Sequence, residues 1–256
     1  MNITNLVSFS GGMGSFAEAH SCCIKFGREN VKLLFADTHM EDEDLYRFMD
    51  ECVKFLGVEL ITVSDGRTPF QIFKDVRYMG NTRKDPCSKI LKRDLLNKTV
   101  KSQYTADEVN VHLGIDYSEC HRIADVSARM MPYIYRSTLV EDGRIVPKDY
   151  SEKFGIRKPR LYDWGLGHNN CGGFCPKAGL GHYKALWTAN PERYLQFEKE
   201  ELLVYGTIGK KYPILRKIDN GVKRYMTLRE YRIEFLETAK VTMDESFEFG
   251  GCGCSI

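Results

Sequence analysis

The stretch Leu6-Val7-Ser8-Phe9-Ser10-Gly11-Gly12-Met13-Gly14-Ser15 restricts this chain more than any other. It reads as a short apolar strand, a turn of small residues, and a helix starting near Phe16. Glycines let a backbone turn tightly and come close to a ligand. Exposed N–H groups and the positive dipole end of a helix favour an anion, and Ser8, Ser10 and Ser15 add hydroxyl donors. The stretch therefore reads as a phosphate cradle at the first strand-to-helix switch of an α/β domain. An ordinary Gly/Ser turn would use the same residues. No Gly-Lys-Ser/Thr follows the glycines, so it is not a Walker A loop, nor does it match the GxGxxG dinucleotide fingerprint.

The strand-then-helix theme repeats. Residues 31–36 read as a second buried strand, ending where Asp37 and Thr38 project from its C-terminal end. Open parallel sheets bind ligands at that edge, and an acidic residue about 20 positions after a glycine turn suits a ribose; a helix cap is the other use of this pair. Glu41-Asp42-Glu43-Asp44 is expected as a mostly solvated helix start, since negative charge suits the dipole. Apolar residues at helical spacing follow over 45–56, with Cys52 on the apolar face. Residues 58–63 and 109–116 read as further strands. The alternation argues for an α/β fold with an open, mostly parallel twisted sheet flanked by helices. Residues 131–147 are expected as an extended connector, dividing an α/β domain (1–135) from a mostly helical region (136–256). In that second region a hairpin is expected at Asp219-Asn220-Gly221 and a capping box at Thr227-Leu228-Arg229-Glu230.

Two segments carry chemistry. In Asp85-Pro86-Cys87-Ser88-Lys89, Cys87 sits at the start of a helix beside Arg83, Lys84, Lys89, Lys92 and Arg93. That setting favours the thiolate, the form that ligates metals or attacks. The basic segment could also meet nucleic-acid phosphates. Farther on, Cys171 and Cys175 lie in the Gly-rich loop Asn170-Cys171-Gly172-Gly173-Phe174-Cys175-Pro176, and the sequence closes on Gly251-Cys252-Gly253-Cys254. Nine cysteines in 256 residues are many for a chain expected to be cytoplasmic. That expectation rests on the absence of a basic stretch before an apolar run at the start and of any apolar run of about 18–20 residues. An odd count fits a disulfide framework poorly. Cys87, Cys171, Cys175 and one of Cys252 or Cys254 offer four thiolates, enough for a [4Fe–4S] cluster or, alternatively, zinc. A redox thiol pair is the competing use. His168 is a substitute ligand or a local hydrogen-bonding residue. Net charge is +2, so there is no global electrostatic case for nucleic acid.

The loop Ser-Phe-Ser-Gly-Gly-Met-Gly-Ser resembles the SGGxDS signature of the PP-loop superfamily. That group contains N-type ATP pyrophosphatases, tRNA-thiolating enzymes and sulfonucleotide (PAPS) reductases. Gly14 stands where the pyrophosphatases carry Asp, which moves the loop towards the reductase branch. With FADT, DPCSKILKR, LGID, PRLYDWGLGHNNCGGFCPKAG and GGCGC, nearly the whole chain resembles PAPS-reductase-like PP-loop proteins of bacteria and phages. The resemblance implies a HUP-like fold. It implies ATP or a related adenine nucleotide, with Mg2+, on Ser8, Phe9, Ser10, Gly11, Gly12, Gly14, Ser15, Asp37, Thr38, Gly114 and Arg122; Arg122 could instead pair with Asp116 or Glu119. The leading expectation is adenylation and thiolation of an acceptor, a nucleobase in tRNA or DNA, with a sulfur- or electron-donor protein as partner. The second is reduction of a sulfonucleotide, with Cys87 and the tail thiols Cys252 and Cys254 as catalytic groups. PAPS reductases use Glu-Cys-Gly-x-His where this chain has Gly-Cys-Gly-Cys, which counts against that reading. The third is a non-catalytic nucleotide sensor.

Overall fold

A computed structural model describes residues 3–81, 84–219 and 221–238. In chain order the first elements are β1 (Thr4–Ser8), α1 (Met13–Phe26), β2 (Val31–Asp37), α2 (Glu43–Leu56), β3 (Glu59–Ser64) and α3 (Pro69–Asp75). Then come α4 (Pro86–Ser88), a π-helical turn Lys89–Asp94 running into α5 (Leu95–Gln103), β4 (Val109–Leu113), α6 (His121–Met130), β5 (Ile134–Arg136) and α7 (Thr138–Glu141). The remainder adds α8 (Arg160–Asp163), α9 (Leu180–Ala189), α10 (Pro191–Ile208), the hairpin β6 (Leu215–Asp219) and β7 (Val222–Met226), and α11 (Leu228–Tyr231). Among the described residues, no helix is long and apolar enough to cross a membrane.

β1 is buried on both faces and takes the middle of a five-stranded, all-parallel sheet in the order β3-β2-β1-β4-β5. Alternation along the strands sends Val7, Leu33 and Phe35 to one face, where they pack with Phe16 of α1 and Phe48 of α2. Leu6, Leu34, Val111 and Leu113 face the other way, onto Val100 of α5 and Val126 of α6. A third apolar cluster joins α3 and α4 to the C-terminal elements through Phe70, Phe73, Phe174, Tyr183 and Phe197. The region expected as a bare connector contains β5 and α7. Three residues are too few to display an alternating pattern, which is why β5 does not stand out in the sequence. Leu139, Tyr150 and Ile156 complete the layer over α1.

Strand order reverses between β1 and β4, and open sheets bind ligands at such a switch point. Here two glycines cross. A Cβ on Gly14 would lie 2.5 Å from the carbonyl oxygen of Gly114, and a Cβ on Gly114 would lie 2.5 Å from the backbone of Ser15. The aspartate of the pyrophosphatase signature is thus excluded by backbone contact, whatever its chemistry.

Below the crossing, the fully buried Glu18 of α1 is a network that sequence patterning did not reveal. Its carboxylate accepts from His112 Nδ1 at 2.9 Å, Thr138 N–H at 2.8 Å, Thr138 Oγ1 and Ser137 Oγ at 3.0 Å, and Leu139 N–H at 3.2 Å. His112 Nε2 lies 3.1 Å from Asn5 Oδ1. Glu18, Cys22 and His112 bring potential metal-ligand atoms within 4.8 Å of one another, but these hydrogen bonds already account for the carboxylate. Burial raises the Glu18 pKa, and the bonds from His112, Thr138 and Leu139 outweigh it, holding the carboxyl below its ordinary value.

Two outcomes follow. Glu18→Gln removes one partner of a buried charged network and should cost about 3–5 kcal/mol in urea unfolding at neutral pH. Because the folded pKa is depressed, the charge-dependent part of this difference is fully present above the ordinary glutamate value of 4.5. It should be lost as pH falls through the folded value; a pH-independent difference would contradict the assignment. For Gly14→Ala, helix propensity alone gives a gain of about 1 kcal/mol, whereas the backbone contact gives a loss of about 1–3 kcal/mol. The expected sign in urea unfolding is a loss.

Candidate functional site

The glycine turn lies at the C-terminal edge of the sheet. Phe9 N–H donates to Leu34 O at 2.8 Å, so the chain stays in the sheet one residue beyond β1, and the Phe9 ring is buried in the α1/α2 layer. Only the backbone of Phe9 faces the loop's task. Gly11 has φ +71°, where a side chain would be strained and would strike Leu45. Gly12 caps α1 without a side-chain acceptor, which leaves the first-turn N–H groups to other partners. Ser15 Oγ donates to Gly12 O at 2.9 Å, and Ser10 Oγ lies 3.4 Å from it. Ser8 opens onto a cavity of about 90 Å³ between the sheet and α5/α6, with an apolar floor (Leu6, Leu34, Val111) and Lys92, Arg93 and Arg129 in its wall.

The other expected nucleotide residues have partners within the chain. Asp37 accepts from His39 N–H and from the Tyr46 hydroxyl, both at 2.8 Å. Thr38 is buried and donates to Glu41 Oε1 at 3.0 Å. Arg122 donates to Glu119 at 2.7 Å, and Asp116 accepts from Ser118 and Val146 N–H groups at 2.9 Å. Gly114 makes the backbone crossing described above.

Of the acidic run expected as a mostly solvated helix start, Glu43 is exposed and opens α2 as expected, whereas Glu41 and Asp42 form a buried junction. The side chains of Glu41 and Asp42 are 0% exposed. Asp42 takes Arg160 at 2.8 Å together with Arg193, and it caps α2 through Asp44 N–H. Burial raises its pKa, but the two arginines and that N–H hold it below the usual carboxylate range. Glu41 accepts from Thr38, from Lys92 at 3.3 Å and from Cys171 N–H. The segment around α8 thereby lies over the glycine turn. Met13 N–H donates to Tyr162 Oη at 3.3 Å, and Asn169 Nδ2 donates to Gly11 O at 3.2 Å.

Beside this junction, Cys87, Cys171 and Cys175 line one small cavity of about 10 Å³, together with Thr38, Lys92 and His168. Cys87 belongs to α4, which has proline at its first turn, as the Pro86 signal predicts. The loop carrying the other two is fixed by its backbone. Cys171 and Gly172 both have positive φ, and a Cβ on Gly172 would lie 2.9 Å from Met40 O. Tyr183 Oη donates to Cys175 O at 2.9 Å, and His182 Nε2 donates to Gly173 O at 2.6 Å. Asn170 Oδ1 is buried in the cavity wall with no hydrogen-bond partner among the described residues. The donor set suits a thiophilic metal or cluster. Cys52 lies in the core, as its helical spacing predicts, and Cys22 and Cys23 of α1 are buried as well. Burial pushes their thiols up, that of Cys23 to about 11. Cys252 and Cys254 lie outside the described residues.

Within the basic segment near Cys87, Lys92 and Arg93 turn inward, Lys84 and Lys89 are exposed, and Arg83 lies outside the described residues. Lys89 pairs with Asp94 at 3.0 Å, Lys92 with Glu41 at 3.3 Å and Arg93 with Asp85 at 2.7 Å. Three members of the expected phosphate-contacting patch, Lys89, Lys92 and Arg93, are therefore matched by carboxylates. Sequence reasoning missed Glu41, Lys92 and Tyr162 as parts of the site. Their partners are remote in sequence, and no local pattern marks them.

Comparison with known proteins adds a family. No curated protein matches the chain. Among solved structures, the U34-tRNA thiolase NcsA from Methanococcus maripaludis, with its [4Fe-4S] cluster, is similar at 16% identity. That match covers 79% of this chain and 73% of that one, with a TM-score of 0.44. The NH3-dependent NAD synthetase from Campylobacter jejuni subsp. jejuni is similar at 11% identity, over 80% of this chain and 84% of that one, with a TM-score of 0.39. Residues 4–114, which hold β1 to β4 and the glycine turn, match the family model of the phosphoadenosine phosphosulfate reductase domain. Over that segment the chain is similar to the phosphoadenosine phosphosulfate reductase domain family.

Proposed function

We propose that this chain is a PP-loop enzyme that activates an acceptor with ATP or a related adenine nucleotide and acts in sulfur chemistry, with a [4Fe–4S] cluster on Cys87, Cys171 and Cys175. The observation that carries this reading is the convergence of those three thiols on one cavity whose wall includes Thr38, at the end of the ligand-binding strand edge, and Lys92, which also lines the cavity beside Ser8. The cavity beside Ser8 has the apolar floor of a small-molecule site. The adenosine part of the nucleotide would sit there, with its phosphates on the N–H groups at the start of α1.

In the reaction, an acceptor carbonyl oxygen attacks the α-phosphorus of ATP and pyrophosphate leaves. Hydrosulfide delivered by a sulfur donor then adds to the activated carbon, AMP departs with the oxygen, and the sulfur loses its proton to leave a thiocarbonyl. The loop N–H groups and Lys92 stabilise charge on the phosphates. Glu41 orients Lys92 and holds the Cys171 backbone. When bound, a cluster supplies a thiophilic iron that can hold inorganic sulfide near the acceptor. A nucleobase is the acceptor class this reading favours. Sulfonucleotide reduction is the second reading, favoured by the family match itself.

Anaerobically purified protein should contain about four irons and matching acid-labile sulfide per chain. Cys171→Ser and Cys175→Ser should lose iron, while the core variant Cys52→Ser keeps it. Protein lacking iron when purified this way would remove the cluster from the reading. In a separate assay, pyrophosphate release from ATP that depends on a nucleic-acid acceptor is expected. Sulfite release from a sulfonucleotide without pyrophosphate release would replace thiolation with the reductase reading.

A further inference from the structure

Positive charge is concentrated in one part of the chain. Residues 210–232 carry eight Lys or Arg against two acidic residues, a larger surplus than the +2 of the whole chain. This segment contains the β6–β7 hairpin. Its register separates two faces. On the inner face, Leu215 is paired with Met226, and both are buried in the same apolar cluster as Cys87 and Cys175. The outer face carries the pairs Arg216–Tyr225 and Ile218–Lys223. Tyr225 is 58% exposed and Ile218 50%. Arg224, on the inner face, is neutralised by Glu234 at 2.5 Å, whereas Arg216 and Lys223 take part in no ion pair among the described residues.

We infer that this outer face docks a single-stranded loop of a folded RNA. Two uncompensated cations flanking an exposed tyrosine ring suit a phosphodiester backbone and a stacked base. The face is two residue pairs long, about 7 Å, too short to follow a duplex groove and long enough for one or two nucleotides. RNA presents unstacked bases of this kind in loops. The hairpin does not line the cysteine cavity, but its apolar side packs into the same cluster as the cysteine-bearing segments. In purpose the inference rests on the nucleobase-acceptor reading above, but binding is measured without any reaction.

The test is fluorescence anisotropy with a labelled RNA stem-loop, compared with the fully paired duplex of the same stem, over a salt series. The full chain should bind the stem-loop more tightly than the duplex. The double variant Arg216→Glu/Lys223→Glu should bind at least about tenfold more weakly and lower the log–log salt slope by about 1.4, the loss of two single-strand phosphate contacts. Tyr225→Ala should weaken binding about tenfold with the slope unchanged, as for a lost stacking platform. Lys101→Glu, at an exposed position on α5, should bind like wild type, and thermal melting should show each variant folded. Absence of RNA binding, equal binding to duplex and loop, or ribbon variants indistinguishable from wild type would overturn the inference. Ribbon-dependent RNA binding without pyrophosphate release keeps the surface and rejects the thiolation reading; RNA-dependent pyrophosphate release with ribbon variants unaffected does the reverse.

Discussion

Burying Glu41 and Asp42 at the end of β2 is the constraint on which the site depends. A carboxylate removed from water costs several kcal/mol unless it is paired. Asp42 is stable there because Arg160 and Arg193 reach it from two later segments, and Glu41 because Thr38, Lys92 and the Cys171 N–H converge on it. The two acids therefore act as a clamp between the sheet edge and the C-terminal half. Tyr162 and Asn169 contact the glycine turn, and Cys171 and Cys175 meet Cys87, because these pairings hold the loop above the strand ends.

The division of the cysteines follows from the same packing. Cys22, Cys23 and Cys52 sit on helix faces turned to the core, where desolvation disfavours the thiolate and leaves a small apolar side chain. Cys87, Cys171 and Cys175 sit at a helix start and in a loop of positive-φ residues, where the backbone is shaped to bring sulfur to a cavity. Position in the fold, more than cysteine number, separates packing from chemistry here.

Much of the sheet was legible because its signals are local. Apolar runs mark β1 to β4, the Asp-Asn-Gly turn marks the β6–β7 hairpin, and the capping box at Thr227 forms as expected, with Glu230 returning to the Thr227 N–H. What escaped is non-local. The acidic run looks solvated until Arg160 and Arg193 are seen on it. Lys92 and Arg93 look like a phosphate patch until their carboxylates are in view. Glu18 shows no sign of its donors, which besides Cys22 on its own helix come from β4 and the segment after β5. Gly14 was visible as a departure from the superfamily signature, yet its cause is the carbonyl of Gly114, a hundred positions away.

Lys92 lines both the cavity beside Ser8 and the cavity of the cysteines. The two are consequently not independent electrostatic compartments. An anion entering the first and thiolates in the second draw on the field of one ammonium, itself shared with Glu41. Whatever free energy couples the two occupancies is reciprocal by thermodynamic necessity. On the function proposed above, the charge state of the sulfur side would enter the affinity for an anion in the first cavity, and occupancy of that cavity would enter the stability of the sulfur side.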